Sequence, residues 1–117
     1  MRMMIIVAAV AAAGCAATPV PADKYARARA AIKSAEVMNV QRIPTAASHL
    51  QLARTQLEQA KALLKDGDNE RAGFVLLRAE ADGEAAVNLA KEVYAKEEAA
   101  ATLQQVQQVK AQMQEGP

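Results

Sequence analysis

The sequence predicts an all-α protein, an antiparallel helical hairpin or three-helix bundle with a long, partly overhanging C-terminal helix. Alanine is abundant beside Leu, Gln, Glu, Lys and Arg, which favour helices, and little beyond residue 15 favours strands. Apolar residues recur at the three- and four-residue spacing of a helix face in three successive segments. No proline interrupts the chain between Pro44 and Pro117. These observations favour long helices that pack closely through small side chains.

The chain begins with the three parts of a secretory signal peptide. Arg2 precedes an apolar run of about 11 residues, and small residues follow in the order Ala12-Ala13-Gly14-Cys15. The run is too short for a membrane-spanning helix, which needs roughly 20 residues. Residues 1–14 are therefore predicted to be a signal peptide. Ordinary secretion, with a cut after Ala13 or Ala17 and a free thiol at Cys15, is the alternative.

The small-small-Gly-Cys ending resembles the lipobox of bacterial lipoproteins. The resemblance implies cleavage between Gly14 and Cys15, a lipid on the Cys15 sulfur, and an acyl chain such as palmitate on the new amino terminus. Ala16, rather than Asp, follows the cysteine, which by the same resemblance implies the outer membrane and its periplasmic face. Cys15 is the only cysteine, so the fold holds without an internal disulfide.

Size and composition exclude several classes of function. The 117 residues make one small domain at most, and the net charge of +1 provides no strong field for nucleic acid. Trp is absent, and the aromatic residues are Phe74, Tyr25 and Tyr94. With so few large side chains we expect neither a deep ligand cavity nor a small-molecule substrate.

The segment 15–22 contains Pro19 and Pro21 and predicts an extended tether of roughly 20 Å between the lipidated cysteine and the first helix. Asp23 is the predicted N-cap of that helix, which runs from Lys24 to Met38. Its basic face is either a solvated surface or a contact with lipid headgroups. Asn39 is expected to end the helix in the left-handed conformation.

The second helix is predicted over Pro44 to Lys65, with either Ile43 or Thr45 as its cap. Apolar residues recur along it at alternating spacings of four and three and form a heptad seam: Ala46, Leu50, Ala53, Leu57, Ala60 and Leu64. Gly67 is the expected stop signal. His49 lies beside the seam, without an evident partner, and is expected to be a boundary surface residue rather than a metal ligand.

The third helix is predicted to start after the cap residue Asp68 and to continue towards Pro117. Its seam consists of Ala72, Leu76, Ala79, Gly83, Ala86, Ala90 and Val93. Gly83 is expected to let a neighbouring helix approach closely. Arg78 with Asp82, and Glu92 with Lys96, are spaced for ion pairs along the helix.

The seam stops near Tyr94, because Glu97 interrupts it. A third helix of about 45 residues is roughly 65 Å long, twice the second helix, so its distal half is expected to overhang on the side away from the anchor. Residues 102–117 are either a frayed, Gln-rich tail or a helical extension whose apolar residues pack on another protein or a second copy. The candidate docking residues are Leu103, Val106, Val109 and Met113.

The helical region resembles the small periplasmic lipoproteins that carry domain of unknown function 4398. The matching features run over residues 23–101: Ala30-Ala31-Ile32 and Ala35-Glu36, then Pro44, Leu50, Ala53, Leu57 and Ala60, then Gly67-Asp68-Asn69 and Ala79-Glu80-Ala81-Asp82. In this family the domain often occurs beside, or fused to, an OmpA-like peptidoglycan-binding domain. The resemblance therefore implies an OmpA-like envelope partner, and it implies no catalytic or ligand-binding residue.

The sequence contains no phosphate-binding glycine loop, no metal-ligand spacing and no nucleophilic triad. We therefore expect neither an enzyme nor a cofactor or metal site. The expected function is that of an outer-membrane lipoprotein with a structural, scaffold or protein-interaction role in the cell envelope. The alternative is a helical binding module that takes a peptide or small ligand in an interhelical groove.

Overall fold

The computed structural model of the chain describes residues 17–116 and confirms the all-α class. Helix α1 spans Ala22–Val37, a 3₁₀ turn spans Val40–Arg42, α2 spans Pro44–Lys65 and α3 spans Asn69–Gln114. Strands are absent from this part of the chain. Both α1 and α2 pack against α3, which is the longest helix and passes beyond the other two.

Helix α1 starts two residues before the predicted position and ends one residue earlier. Pro21, not Asp23, is the N-cap residue, and its carbonyl accepts the hydrogen bond of the Tyr25 amide. Asp23 therefore lies inside the first turn, where a carboxylate is favoured by the partial positive charge of the helix N-terminus. Met38 caps the other end, and Asn39 follows with φ 52°, the predicted left-handed conformation.

The connection between α1 and α2 contributes to the core. Val40 is fully buried and Ile43 is nearly so. Ile43, rather than Thr45, is the N-cap residue of α2, in an extended conformation, and its carbonyl accepts the Ala47 amide at 2.8 Å. The sequence indicates only a short link here, because a single 3₁₀ turn shows no periodicity that marks its buried side.

The seams of α2 and α3 are confirmed. Helix α2 has the predicted ends, and its seam is buried except for the half-buried Leu64. The seam of α3 is buried from Ala72 to Ala90, with Val93 half-buried. Asp68 caps α3, since its Oδ1 accepts the Arg71 amide, and Gly67 in the preceding turn has φ +79°.

Helices α1 and α3 run side by side in the same direction, and α2, which connects them along the chain, runs in the opposite direction. Lys24 and Pro21 lie over Gly73 near the start of α3, and the Tyr94 hydroxyl donates to the Met38 carbonyl at 2.8 Å at the far end of α1. One end of the bundle therefore holds the start of α1 and the α2–α3 turn. The α1–α2 connection lies at the other end.

Gly83 lets α1 approach α3 closely, as predicted. A Cβ atom at this position would lie 2.8 Å from the Cβ of Ala31, 3.0 Å from its carbonyl carbon and 3.1 Å from the amide nitrogen of Ile32. Two of these atoms belong to the α1 backbone, which cannot rotate away. The small residue therefore sets the distance between the two helices.

One of the two predicted ion pairs along α3 forms. Lys96 Nζ donates to Glu92 at 2.6 Å, whereas the prediction of an Arg78–Asp82 pair is wrong. The Asp82 carboxylate points to α2, where it accepts hydrogen bonds from His49 Nδ1–H and Gln56 Nε2, each at 2.8 Å. His49 lies at the bundle boundary as expected, but it has a partner that the sequence did not reveal.

The segment before α1 is not a free tether from Thr18 onward. The side-chain amide of Asn69 donates to the Thr18 carbonyl at 2.8 Å. Pro19, Val20 and Pro21 continue along the first turns of α3, beside Phe74. The predicted freedom of the tether is therefore wrong from Thr18 onward, because α3 provides a surface on which the prolines pack. At Pro21 the backbone turns tightly, and the Ala22 amide donates to the Val20 carbonyl at 2.9 Å.

Candidate functional site

The most exposed apolar surface of the described chain belongs to the end of α3. Arg42 donates to Glu97 at 2.8 Å, and its guanidinium lies 5.1 Å from the centre of the Tyr94 ring. These contacts close the bundle at the α1–α2 connection. Every residue from Ala95 to Gly116 is exposed, and the helix continues without a break to Gln114. Residues 98–114 therefore form a helical overhang.

The four predicted docking residues lie together on one side of this overhang. Their exposed fractions are 58% for Leu103, 44% for Val106, 53% for Val109 and 77% for Met113. Spacings of three and four residues place their side chains within about a third of the helix circumference. Six of the remaining residues are glutamines, and Glu98 and Lys110 are the charged residues of the overhang. An apolar stripe with a largely uncharged polar surround suits contact with another protein surface better than contact with water.

The stripe continues towards the bundle on the side of α3 that faces away from α1 and α2. We define this outer face by its exposed residues at helical spacing: Phe74, Leu77, Ala81, Asn88, Ala95, Ala99, Thr102, Val106, Val109 and Met113. Phe74 is 60% exposed and Leu77 is 41% exposed. Sequence reasoning missed both residues as surface candidates. Their positions, out of phase with the buried seam by half a turn, are the signal that could have identified them.

The predicted lipidation and cleavage positions, Cys15 and Gly14, lie outside the described residues. The nearest described landmark is Thr18, which is bonded to Asn69 at the start of α3. The overhang begins at the other end of the bundle. Along α3, Asn69 is therefore roughly 50 Å from Leu103 and roughly 65 Å from Met113, the first and last residues of the stripe.

The interhelical groove of the alternative function corresponds to a furrow between α1 and α3. It encloses about 330 Å³ and is lined by Ala30, Ala31 and Val87, with Arg27 and Glu80 at its edge. Arg27 Nε lies 3.1 Å from Glu80 Oε1, so the charged groups at this edge are already paired. The furrow is open to solvent, and Ser34 and Glu84 are the other polar residues that line it. Its apolar surface consists of small groups, which provide little to hold a ligand.

The polar group at the α2–α3 contact consists of Asp82, His49 and Gln56. Gln56 is 6% exposed, and its Oε1 accepts no hydrogen bond within the described part of the protein. The two donors hold both carboxylate oxygens of Asp82. This arrangement joins two helices and leaves neither oxygen of Asp82 directed into a cleft.

Two ionisable groups have shifted pKa values, and both belong to surface pairs. The hydrogen bond from Lys96 lowers the pKa of the Glu92 carboxyl, and the hydrogen bond to Glu58 raises the pKa of the Lys61 ammonium. Each pair joins neighbouring turns of a single helix in solvent. The shifts therefore reflect helix-surface electrostatics and not a reactive group held in a pocket.

Over residues 17–116, no helix is long and apolar enough to cross a membrane. No group of three or more His, Cys, Asp or Glu side chains in this range is arranged to hold a metal ion.

A family model with the description "Domain of unknown function (DUF4398)" matches residues 23–102. This range covers nearly all of α1, the connection, α2 and the part of α3 that packs in the bundle, and it ends within the first turns of the overhang. Neither the curated proteins nor the solved structures contain a significant match to the chain.

Proposed function

The chain belongs to the DUF4398 family, and we propose that it is a lipid-anchored envelope protein with a scaffold or protein-docking role. In this proposal Cys15 carries the anchor in the outer membrane, on its periplasmic face. The bundle is the rigid body, and the overhang of α3 docks a protein through Leu103, Val106, Val109 and Met113. The protein acts as a structural element and turns over no substrate.

The exposed stripe on the overhang is the observation that carries the docking role. The seams of α2 and α3 bury their apolar residues against each other, whereas the stripe has the same helical spacing and remains in solvent. An isolated helix of this length is marginal in water, because most helical stability comes from packing of an apolar face. Contact with a second protein surface would supply that packing.

The lipobox-like sequence at Ala12 to Cys15 supports the anchor. Each buried CH₂ group contributes about 0.8 kcal/mol, so one acyl chain binds reversibly and two or three hold a protein firmly. Only two residues separate Cys15 from Thr18, and the three chain steps between them span at most about 10 Å. Docking of Thr18 on Asn69 then keeps the start of α3 close to the membrane surface.

The anchor is tested by replacing the thiol. We expect the wild-type protein to incorporate an alkyne-labelled fatty acid in cells and to fractionate with the outer membrane, and Cys15→Ser to lose both properties. A matched control carries the thiol elsewhere: Cys15→Ser with Ser34→Cys has one exposed cysteine and is expected to stay unlabelled. Undiminished labelling of Cys15→Ser, or unchanged fractionation, would refute the anchor.

The docking role is tested with a photo-reactive amino acid placed in the overhang. We expect substitutions at Leu103 and Val106 to capture one defined envelope protein or a second copy in cells, with mass spectrometry identifying the adduct. Gln108 is the exposed control, because it lies on the opposite side of the same helix, and Ile32 is the buried control. Equal capture from Gln108 and Val106 would mean that the stripe is not a docking surface. An OmpA-like adduct would agree with the partner that the family resemblance implies.

A further inference from the structure

The large apolar side chains that α3 leaves exposed lie in two groups on its outer face, with Leu103 at the edge of that face. Phe74 and Leu77 lie near its start, and Leu103, Val106, Val109 and Met113 lie near its end. Between the groups the face carries the small residues Ala81, Ala95 and Ala99, and the charged residues Glu84, Lys91 and Glu92 lie among them. The two groups are about 30 residues apart, which corresponds to roughly 45–50 Å along a helix.

A partner that covers both groups must itself be a straight rod with apolar groups at the same separation. A second copy of α3 meets this requirement. We infer that the outer faces of two copies pair in an antiparallel manner, so that the overhang of each copy lies on the bundle segment of the other. This inference rests on the proposed docking role of the overhang and names its partner as a second copy of this chain.

Charge decides between the two possible directions of pairing. In a parallel pair Glu92 would face Glu92 of the second copy near the middle of the contact, and Lys91 would lie beside Lys96 of the second copy. Like charges at such positions oppose association. In the antiparallel pair Glu92 faces the small Ala95, and Lys91 lies beside Glu98 of the second copy.

Side-chain size also agrees with the antiparallel arrangement. In the register that centres the two-fold axis between residues 93 and 94, Phe74 lies opposite Met113 of the second copy, and Ala81 lies opposite Val106. The large Val106 thus meets the small Ala81, and the two large apolar side chains of Phe74 and Met113 cover each other at the ends of the contact. The six large residues are between 41% and 77% exposed. Two copies therefore bury on the order of 1,000 Å², the area at which specific interfaces begin.

The pairing has a consequence for the anchored protein. The two copies of Asn69, and the Thr18 residues bonded to them, lie at opposite ends of the contact, roughly 70 Å apart. A pair in which both copies carry a lipid on Cys15 would then lie along the membrane surface with an anchor at each end.

Disulfide trapping tests the direction of pairing. The complete mature chain with Cys15→Ser has no cysteine, and Arg78→Cys or Lys110→Cys then adds one exposed thiol beside the outer face. We expect a mixture of the two variants to give the mixed disulfide on mild oxidation, because the antiparallel register brings residue 78 next to residue 110. Each variant alone is expected to remain uncrosslinked, since its two thiols are then nearly 50 Å apart. Homodimeric disulfides without the mixed product would overturn the antiparallel inference.

Sedimentation equilibrium of the same cysteine-free chain tests the association itself. We expect twice the monomer mass, and Val106→Asp is expected to raise the dissociation constant roughly tenfold or more, because an unpaired carboxylate would be buried. Gln108→Asp adds the same charge on the opposite side and is expected to leave the constant unchanged. A monomer at all concentrations would overturn the inference. Photo-crosslinking from Val106 to a different envelope protein would then still support the proposed docking role.

Discussion

Replacing Gly83 by alanine is expected to destabilise the bundle by about 2 kcal/mol. Alanine gains up to about 1 kcal/mol of helix propensity over glycine. The added Cβ, however, would lie 2.8 to 3.1 Å from Ala31 and Ile32 atoms, including backbone atoms of α1. Overpacking of this kind costs typically 1–3 kcal/mol, and we expect the upper part of that range because α1 must move as a whole.

Urea unfolding, followed by the helical signal in circular dichroism, measures this effect. Gly73→Ala is the matched control, because Gly73 is also buried in α3 but its nearest neighbour is the flexible end of the Lys24 side chain, 3.3 Å from the added Cβ. We expect Gly73→Ala to be neutral or stabilising by up to about 1 kcal/mol. If Gly83→Ala were as stable as Gly73→Ala, the close contact of α1 with α3 would be wrong.

The sequence was sufficient to predict the parts of the fold that follow a repeating pattern or a local backbone preference. The seams of α2 and α3, the stop at Gly67 and the cap at Asp68 follow from helical periodicity and from local backbone preferences, and the structure has each of them. The role of Gly83 in a close helix contact was also predictable, because a glycine within a seam of alanines lowers helix propensity and leaves space for a neighbouring helix. Local patterns predict well where each residue's role depends on neighbours within one or two turns.

The features that the sequence did not reveal depend on residues far apart in the chain. Thr18 meets Asn69, and Asp82 meets His49 and Gln56, across separations of 26 to 51 residues. Within α3, Arg78 was the nearest apparent partner for Asp82, but the rotation of α3 against α2 directs the carboxylate elsewhere. Such pairings depend on how helices rotate against each other, which a seam of small residues specifies only loosely.

The candidate site also has one part that the sequence predicted and one part that it did not. The stripe from Leu103 to Met113 was visible as apolar residues among glutamines, and the structure places it on one side of a continuous helix. Phe74 and Leu77 were not recognised, because an apolar residue near a buried seam is expected to join it. Only the exposed fractions show that they extend the outer face to the start of α3.

Replacing Asp82 by alanine is expected to cost about 2 kcal/mol, again measured by urea unfolding. The carboxylate is the acceptor for the buried Nε2 of Gln56, at 2.8 Å, and the Oε1 of the same amide is already without a partner. Loss of Asp82 would leave the whole amide of Gln56 buried and unsatisfied. A buried group left in this state costs about 1–3 kcal/mol, more than the hydrogen bond itself contributes.

A double-mutant cycle separates this cause from the loss of the His49 contact. Gln56→Leu has similar volume and removes the unsatisfied oxygen, so we expect it to be within about 0.5 kcal/mol of wild type or more stable. In the Gln56→Leu background, Asp82→Ala is expected to cost less than half of its effect in the wild type, because only the half-exposed His49 then loses a partner. Additive effects of the two substitutions would mean that His49, and not the buried amide, accounts for the contribution of Asp82. In that case the α2–α3 contact would depend on an exposed hydrogen bond, and His49→Ala should be as destabilising as Asp82→Ala.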